Sequence, residues 1–377
     1  MPAIKNALIV GGGIAGLTAA TALGRQGVSC EVLELHGEPA GAAVTIQNRA
    51  IDGLAELGLL DPFLEAGLPR SQQDIFRYFD AAGQELPTPP MPPEPQGGLP
   101  QAVVIHRVAL SRVLREGAEA AGVTVRNGMS ISRLVQHPDS VTATLTDGSE
   151  RTYDLVVGAD GIRSTTRDLV FGDEVVPRYT GTTMFRWVVQ GVPDVGLPGF
   201  YQANGVLNVV LRLRDGSLYL ATGRNYASKP ERCSQQEARR ILDENLAAFS
   251  APLLVAMRER LTNDTRVVVN DYDWLLAPAP WHRGRVVVIG DAAHATTAFL
   301  ASGGGMAIED GVVLGQEIGA SGSAEEALAR FMERRFERAR LVVETSVEIG
   351  KMHARGESVA EQNALRGRAL GALKSPY

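Results

Sequence analysis

The sequence predicts an α/β protein whose parallel sheet is assembled from distant segments of the chain. Short apolar runs rich in β-branched residues, typical of buried parallel strands, occur at 7–10, 30–35, 154–157 and 286–289. Between the last two runs lie segments that alternate between apolar and polar residues, as in an antiparallel sheet. Most of the chain after residue 290 is helical in pattern, up to Leu373. We therefore expect a discontinuous parallel-sheet domain, an inserted antiparallel-sheet domain and C-terminal helices.

The first 35 residues predict a βαβ unit. A strand at 7–10 is broken by three glycines at 11–13. Residues 14–25 have helical spacing, with Ile14, Leu17 and Leu23 on one side, and a second strand follows at 30–35. Two strands joined by a helix in this way are parallel neighbours.

The rest of the chain adds elements of both kinds. Helices are predicted at 49–67, 108–121, 234–247 and 252–260, and strands at 75–80, 103–106, 123–126, 130–136, 141–146, 183–190, 206–214, 218–222 and 266–273. Asp215 and Gly216 indicate a hairpin turn. Seven prolines between Pro87 and Pro100 predict a loop or a domain connection. We expect 1–75, 101–177 and 275–350 to form the parallel-sheet domain, 76–100 and 178–274 the inserted domain, and 351–377 a C-terminal helical tail.

Composition excludes several classes of function. The 377 residues carry a net charge of −6, so the sequence offers no basic surface for nucleic acid and no polybasic membrane anchor. No apolar run is long enough to span a bilayer, and the N-terminus lacks the features of a signal peptide, so we expect a cytoplasmic protein. The six histidines are scattered and the two cysteines lie far apart, which gives no support for a metal site.

A glycine motif at the first turn predicts a dinucleotide site. Gly11, Gly13 and Gly16 fit the pattern G-x-G-x-x-G between a strand and a helix. They allow a tight turn, close approach of the backbone to a pyrophosphate, and close packing of the helix on the strand. Glu34 ends the second strand and can accept hydrogen bonds from ribose hydroxyls. The motif therefore predicts a Rossmann-like domain, but it does not distinguish NAD from FAD.

Two later loops extend this prediction. Asp160 and Arg163 lie in a turn after the strand 154–157, at the edge of the sheet where ligands bind in α/β proteins. Asp291 follows the strand 286–289, and the glycines at 303–305 open a helix whose dipole would stabilise negative charge on a bound ring.

Four segments together resemble the single-component FAD-dependent aromatic hydroxylases, the para-hydroxybenzoate hydroxylase-like flavoprotein monooxygenases. They are GGGIAG with Glu34, HRVAL from His106, GADGIRSTTR from Gly158, and GDAAH followed by SGGGMAIED. They occur in the family's order, and the resemblance covers about residues 4–350. It implies that the parallel-sheet domain is an FAD-binding domain and that the inserted sheet binds substrate.

The resemblance also implies roles for individual residues. The residues expected to bind FAD are Gly11, Gly13, Ala15, Gly16, Glu34, Leu35, Arg107, Asp160, Arg163, Asp291, Gly304 and Gly305. Asp160 and Arg163 are associated in the family with NAD(P)H as well. Since the chain has only one G-x-G-x-x-G, the resemblance implies that NADH or NADPH visits transiently.

The implied reaction is a monooxygenation. NAD(P)H would reduce FAD, dioxygen would form a flavin C4a-hydroperoxide, and one oxygen atom would enter a small aromatic or N-heteroaromatic ring. This chemistry requires no catalytic side-chain nucleophile, and we expect His294 to have a structural role. Polar residues of the alternating strands are candidates for the substrate pocket: Arg186, Tyr201, Asn208, Arg212 and Tyr219.

The loop after GDAAH departs from the family pattern, which has a proline where this chain has Ala298. We hypothesise that the adjacent Phe299 contacts substrate. An alternative function is a flavin dehydrogenase or reductase on the same fold, without oxygen insertion; a non-catalytic FAD carrier is a further one. The sequence leaves open the substrate, the choice between NADH and NADPH, and whether the protein is a monomer or a homodimer.

Overall fold

The computed structural model describes residues 4–37, 43–87, 98–231 and 233–377. Its strands are β1 (Asn6–Val10), β2 (Ser29–Glu34), β3 (Ala43–Gln47), β4 (Leu68–Arg70), β5 (Tyr78–Phe79), β6 (Ala102–His106), β7 (Thr124–Asn127), β8 (Ile131–Gln136), β9 (Val141–Leu145), β10 (Glu150–Tyr153), β11 (Leu155–Gly158), β12 (Arg178–Val189), β13 (Gly199–Ala203), β14 (Val206–Arg212), β15 (Leu218–Asn225), β16 (Val268–Trp274), β17 (His282–Arg283) and β18 (Val286–Val288). Its α-helices are α1 (Ile14–Arg25), α2 (Arg49–Glu56), α3 (Leu60–Ala66), α4 (Gln72–Ile75), α5 (Arg107–Ala120), α6 (Thr165–Phe171), α7 (Gln235–Ala247), α8 (Pro252–Arg258), α9 (Asp291–His294), α10 (Gly303–Ala320), α11 (Ala324–Ala354) and α12 (Val359–Ala372).

A six-stranded sheet in the order β17-β18-β11-β1-β2-β7 brings the distant apolar runs together. All neighbours in it are parallel except β17, which pairs antiparallel with β18. Val10 lies beside Leu33 on one side and Gly158 on the other, so the loops that follow β1, β2 and β11 meet at one edge. The prediction of a parallel sheet built from separate segments is confirmed.

Helices α1 and α10 pack closely against each other over the first βαβ unit. Small residues make this possible: a Cβ on Gly311 would lie 2.5 Å from the backbone nitrogen of Ala19. A Cβ on Gly315 would lie 2.5 Å from the Cβ of Ala22. This contact brings the N-termini of both helices to the same edge of the sheet.

A second six-stranded sheet, β16-β12-β15-β14-β13-β5, is antiparallel except where β5 joins β13. The expected hairpin joins β14 to β15, with Gly216 at φ +84°. One face of this sheet packs on α7 and α8, with Phe185 and Leu220 meeting Leu242 and Leu246 in a buried cluster. The other face is therefore left to line a cavity.

The structure also differs from the predicted elements. The helix expected at 49–67 is two helices, because the chain turns at Gly58 with φ +72°. The strand expected at 75–80 contains the end of α4 and only two β residues. Helix α11 continues to Ala354, so the domain boundary expected after residue 350 falls inside it. Residues 88–97, the centre of the proline-rich stretch, lie outside the described residues.

Candidate functional site

A cavity of about 760 Å³ lies between the loop edge of the parallel sheet and the free face of the antiparallel sheet. One end is lined by Gly13, Ala15, Ala159 and Asp291, from the loops after β1, β11 and β18. The other end is lined by side chains from β12 to β16. Loops that lie far apart in the sequence therefore face the same space as the inserted sheet.

The first glycine loop has the features that a pyrophosphate requires. Gly11 has φ +108°, and a Cβ there would lie 2.3 Å from the carbonyl oxygen of Ala159. A Cβ on Gly16 would lie 1.9 Å from the carbonyl oxygen of Gly11. A Cβ on Gly13 would meet nothing within 4 Å, since this residue faces the cavity. Gly13 caps α1 without a side-chain hydrogen bond, so the first N–H groups of the helix are available to an anion.

Glu34 and Leu35 lie at the end of β2, outside the lining of the large cavity. The Glu34 carboxylate accepts hydrogen bonds from the backbone N–H groups of Gly12 and His36, both at 2.7 Å. Leu35 is half exposed. In this structure the carboxylate holds the glycine loop against β2, and its contact with a ribose stays a prediction.

Asp291 and Arg107 face the cavity, and their side chains make no hydrogen bond with the described residues. Within the described residues, neither side chain has a hydrogen bond or an ion pair, and both are exposed to the cavity. Desolvation by the surrounding protein raises the pKa of Asp291, and the neighbouring His294 and Arg107 oppose this effect. Gly290, at φ +59°, places its α-carbon so close to Ala15 that a Cβ would lie 2.7 Å from the Ala15 methyl group. The loop of Asp291 thus touches the glycine loop.

The Asp160 carboxylate is turned into its own loop. It accepts hydrogen bonds from the Ser164 hydroxyl, from the Thr166 N–H at 2.9 Å and from the Thr166 hydroxyl at 3.0 Å. Burial raises the pKa of Asp160, and these hydrogen bonds oppose the rise. Ala159, Gly161 and Ile162 line the cavity, whereas Arg163 is exposed and lies outside its lining. A cofactor role for this loop would therefore rest on the neighbours of Asp160 rather than on its carboxylate.

The glycine-rich start of α10 forms another part of the wall. Gly303 and Gly304 line the cavity, whereas Gly305 is buried behind them against Ala50. The Gln47 amide donates hydrogen bonds to the carbonyl oxygens of Leu300 at 2.9 Å and Ala301 at 3.1 Å, and so fixes the preceding loop. The positive end of the α10 dipole consequently points to the cavity.

A buried charged network holds these loops together. Asp310, fully buried, accepts hydrogen bonds from His294 at 2.5 Å, from the Gly290 N–H at 2.8 Å and from Arg335 at 2.8 Å. Desolvation alone would raise the pKa of Asp310, but His294 and Arg335 outweigh it and lower this pKa to about 2. Arg335 also bonds Glu309 at 2.7 Å. Sequence reasoning did not identify Arg335, because its role depends on α11 crossing α10.

The structure divides the predicted substrate residues between the two faces of the inserted sheet. Arg186, Tyr219 and Phe299 line the cavity. Tyr201, Asn208 and Arg212 do not: Tyr201 stacks on Phe79 at 4.8 Å, Asn208 bonds the Asn245 carbonyl at 3.3 Å, and Arg212 pairs with Asp194 at 2.7 Å. This placement corrects their assignment to the pocket. Because side chains alternate along a strand, their neighbours Phe200, Leu207 and Leu211 line it instead.

Asn270, Tyr272 and His353 line the cavity and were missed by sequence reasoning. Arg186 donates a hydrogen bond to Asn270 at 2.7 Å, and its guanidinium lies 5.6 Å from the centre of the Tyr272 ring. Burial raises the pKa of Tyr219 to about 12, so this phenol is neutral at pH 7. The alternation in β16 could have identified Tyr272, whereas no local signal places His353, on a helix, at this cavity.

Neither a metal cluster nor a membrane span is found in the described part of the chain. There, no three His, Cys, Asp or Glu side chains are arranged to hold a metal ion. No helix formed by these residues combines the length and apolarity needed to cross a bilayer.

The fold and the cavity define a flavin-binding class of protein, and comparisons with known proteins agree. A family profile described as FAD binding domain matches residues 5–346. The chain is 31% identical to 3-hydroxybenzoate 6-hydroxylase 1 of Aquipseudomonas alcaligenes, over 96% of this chain and 93% of the relative. It is 30% identical to 2-heptyl-3-hydroxy-4(1H)-quinolone synthase of Pseudomonas aeruginosa, over 92% and 88% respectively. The structure of Klebsiella pneumoniae HpxO complexed with FAD and uric acid shares the fold, with a TM-score of 0.80, 22% identity, and coverage of 98% and 96%.

The chain therefore belongs to the FAD-binding family of aromatic hydroxylases that its motifs resemble. It is an FAD-dependent monooxygenase. FAD is accordingly the cofactor that the glycine loops and Asp291 are suited to bind.

Proposed function

We propose that this monooxygenase consumes NADH or NADPH and inserts one atom of dioxygen into a small aromatic or N-heteroaromatic substrate. The observation that carries the proposal is the single cavity that joins the glycine loops to Arg186 and Tyr219. A cofactor held at one end and a substrate held at the other would share one enclosed space, as oxygen transfer requires.

FAD, when bound, supplies hydride acceptance and oxygen activation. The residues present fit it. The open space at Gly13 admits a pyrophosphate, and the unpaired N–H groups of α1 stabilise its charge. The unpartnered carboxylate of Asp291 accepts hydrogen bonds from a polyhydroxyl chain, and Arg107 supplies a positive charge nearby. The start of α10 at Gly304 offers backbone N–H groups to an electron-rich ring edge. We propose Glu34, Leu35 and the main chain beside Asp160 for the rest of the cofactor.

The inserted sheet supplies the groups that hold an aromatic substrate. Arg186 places a positive charge beside the phenol groups of Tyr219 and Tyr272, where it would stabilise an acidic oxygen or a phenolate of the substrate. Such a phenolate is more electron-rich than the phenol and accepts an electrophilic oxygen more readily. Apolar side chains line much of this end beside the polar ones, and they would keep water from the reacting atoms. These apolar side chains include Met184, Phe200, Leu207, Val209, Leu211 and Phe299.

The relatives support an aromatic substrate. Their names describe hydroxylation of 3-hydroxybenzoate and synthesis of a hydroxyquinolone, and the similar solved structure contains uric acid. The two six-stranded sheets support the division into an FAD-binding domain at 1–75, 101–177 and 275–350 and a substrate domain at 76–100 and 178–274, which we retain as a proposal. We also propose that the nicotinamide nucleotide binds transiently, because the chain contains one G-x-G-x-x-G.

One experiment tests the proposed reaction. The purified protein is loaded with FAD, and oxidation of NADH and NADPH is followed with a panel of phenols, hydroxybenzoates, purines and quinolones. The product is analysed by mass spectrometry after reaction under ¹⁸O₂. We expect an aromatic compound to accelerate nucleotide oxidation and one labelled oxygen to enter the product. Flavin reduction that no aromatic compound changes, with no label in any product, would overturn the proposal in favour of a dehydrogenase or reductase.

A further inference from the structure

Helix α11 forms part of the cavity wall, in addition to the loops and strands of the two six-stranded sheets. Gly350, His353 and Ala354, near its C-terminal end, line the cavity. His353 and Ala354 fall in the segment that the sequence assigned to a C-terminal tail. This part of the chain is therefore in a position to contact whatever the cavity binds.

His353 is the end of a row of side chains that starts at the substrate-binding sheet. The Arg186 guanidinium lies 5.6 Å from the ring centre of Tyr272, and that ring lies 6.3 Å from Phe299 in an edge-on arrangement. Phe299 in turn lies 6.1 Å from the imidazole of His353. Gly350 makes room for this row, because a Cβ there would lie 2.8 Å from the Phe299 ring. The cavity wall thus carries a cation at one end of an aromatic strip and an imidazole at the other.

The imidazole lacks the partners that a structural histidine would have. Within the described residues, neither ring nitrogen of His353 makes a hydrogen bond, and Nδ1 is shielded from water. A histidine in the last turn of a helix can bond the free carbonyl groups there, but His353 does not. Burial lowers its pKa, so the ring is neutral at pH 7. The other nitrogen, Nε2, is not enclosed in this way, so a ligand in the cavity could supply the hydrogen bond that the protein does not give it.

We propose that His353 is a substrate-binding residue that hydrogen-bonds an uncharged N–H or carbonyl group of a heteroaromatic ring. Because Nδ1 is enclosed, Nε2 of the neutral imidazole can donate or accept one hydrogen bond but carries no charge, so it matches a neutral N–H or carbonyl group better than a carboxylate. Arg186, at the other end of the strip, would hold an acidic oxygen of the same substrate. The inference rests on the proposed function, in that an aromatic substrate occupies this cavity.

The test measures ligand binding to the FAD-loaded protein. Uric acid, 4-hydroxyquinoline and 3-hydroxybenzoate are titrated while the flavin absorbance is recorded, with the wild type, His353→Phe and His353→Asn. We expect His353→Phe to raise the Kd of uric acid or 4-hydroxyquinoline about 3- to 10-fold, the effect of losing one neutral hydrogen bond. His353→Asn, which retains a donor and an acceptor, should restore part of this affinity. The Kd of 3-hydroxybenzoate should change less than about twofold, since its carboxylate has no need of a neutral partner.

His137 provides the matched control. It is exposed, lies on the loop between β8 and β9, and bonds Thr142 at 3.0 Å, away from the cavity lining. His137→Phe should leave all three ligand affinities unchanged. FAD affinity should be the same in every variant, because His353 makes no hydrogen bond to the protein. His353→Phe keeps a ring against Phe299, so its Tm should match that of the wild type.

Three results would overturn the inference. In the first, His353→Phe binds the heteroaromatic compounds as tightly as the wild type does. In the second, the wild type binds neither heteroaromatic compound. In the third, both His353 variants lose Tm and FAD affinity in parallel. The third would show a structural role. Each result can be distinguished from failure of the proposed function. In that case no aromatic compound would stimulate nucleotide oxidation by the wild type, and no ¹⁸O would enter a product.

Discussion

Gly11, Gly13 and Gly16 occupy two different kinds of environment, although they belong to one short motif. Gly11 and Gly16 are glycine because a Cβ would collide with backbone atoms, whereas Gly13 faces open space. Two of these glycines are therefore required by the fold, and we propose that the third is required by the ligand. Asp291 is a polar residue that the fold does not use in this way, since its carboxylate makes no hydrogen bond with the described residues.

Substitution Gly13→Ala separates these roles. The backbone of Gly13 is extended, with φ −81° and ψ −169°, so alanine can adopt it without strain. We expect an unchanged Tm of the apoprotein but roughly tenfold weaker FAD binding, because the methyl group enters the pyrophosphate space. Isothermal titration with FAD measures this effect. Gly367→Ala, at an open position of α12, is the control and should bind FAD as the wild type does; equal affinity of Gly13→Ala would contradict the pyrophosphate assignment.

Asp291→Ala should weaken FAD binding about 10- to 100-fold. The reason is the loss of a charge-assisted hydrogen bond to the ribityl chain. Asp291→Asn keeps a hydrogen-bonding group, so its FAD affinity should fall less than that of Asp291→Ala. Retention of FAD during gel filtration, together with the Kd from flavin fluorescence, measures both. Asp173→Ala, exposed and outside the cavity lining, is the control; wild-type affinity in Asp291→Ala would remove this residue from the cofactor site.

At the scale of elements, the alternation of side chains in the inserted sheet decides which residues line the cavity. Arg186 on β12 faces the cavity, whereas Arg212 on β14 faces away and pairs with Asp194. The sequence showed that both strands alternate, and the packing of α7 and α8 on one face determined which half of the residues remained free. Sequence alone could therefore name the candidates but could not select among them.

The two arginines give a direct test of this division. In the FAD-loaded protein, Arg186→Ala should raise the Kd of the most tightly bound aromatic compound of the panel by about tenfold or more, because a charged hydrogen bond is lost. Arg212→Ala should leave that Kd unchanged, since its side chain points to the opposite face. Flavin difference spectra measure both. Equal losses in the two variants would show that the sheet face has been assigned incorrectly.

At the scale of the whole molecule, the buried network of Asp310 joins elements that are remote in sequence. Through His294 and the Gly290 N–H it holds the loop of Asp291, and through Arg335 it holds α11. Helix α11 then carries His353 to the cavity. The cofactor end and the far wall of the cavity thus depend on one set of buried charges.

Asp310→Asn should lower the free energy of unfolding at pH 7 by about 3–5 kcal/mol, because it leaves buried Arg335 and His294 without their shared partner. The folded-state pKa of about 2 lies below the ordinary value of 3.8. A lowered pKa stabilises the folded state above pH 4, and this contribution is lost as the pH falls from about 4 to 2. Urea unfolding at pH 7, 5 and 3 measures the difference in the free energy of unfolding between the wild type and the variant. This difference should be constant from pH 7 to 5 and decrease at pH 3; a difference that does not vary with pH would contradict the role of the Asp310 charge.

The resemblance of four segments to a known family implied FAD. The sequence by itself determined the Rossmann-like fold, the glycine loop, the loop of Asp291 and the insertion of an antiparallel sheet. These features are encoded locally, because turns, periodicity and glycine spacing depend on residues close together in the chain. Tertiary structure alone decided which face of the sheet lines the cavity, and it added Tyr272 and His353 to the wall. It also joined Asp310 to Arg335. Such contacts depend on how whole elements pack, and no pattern of neighbouring residues specifies that packing.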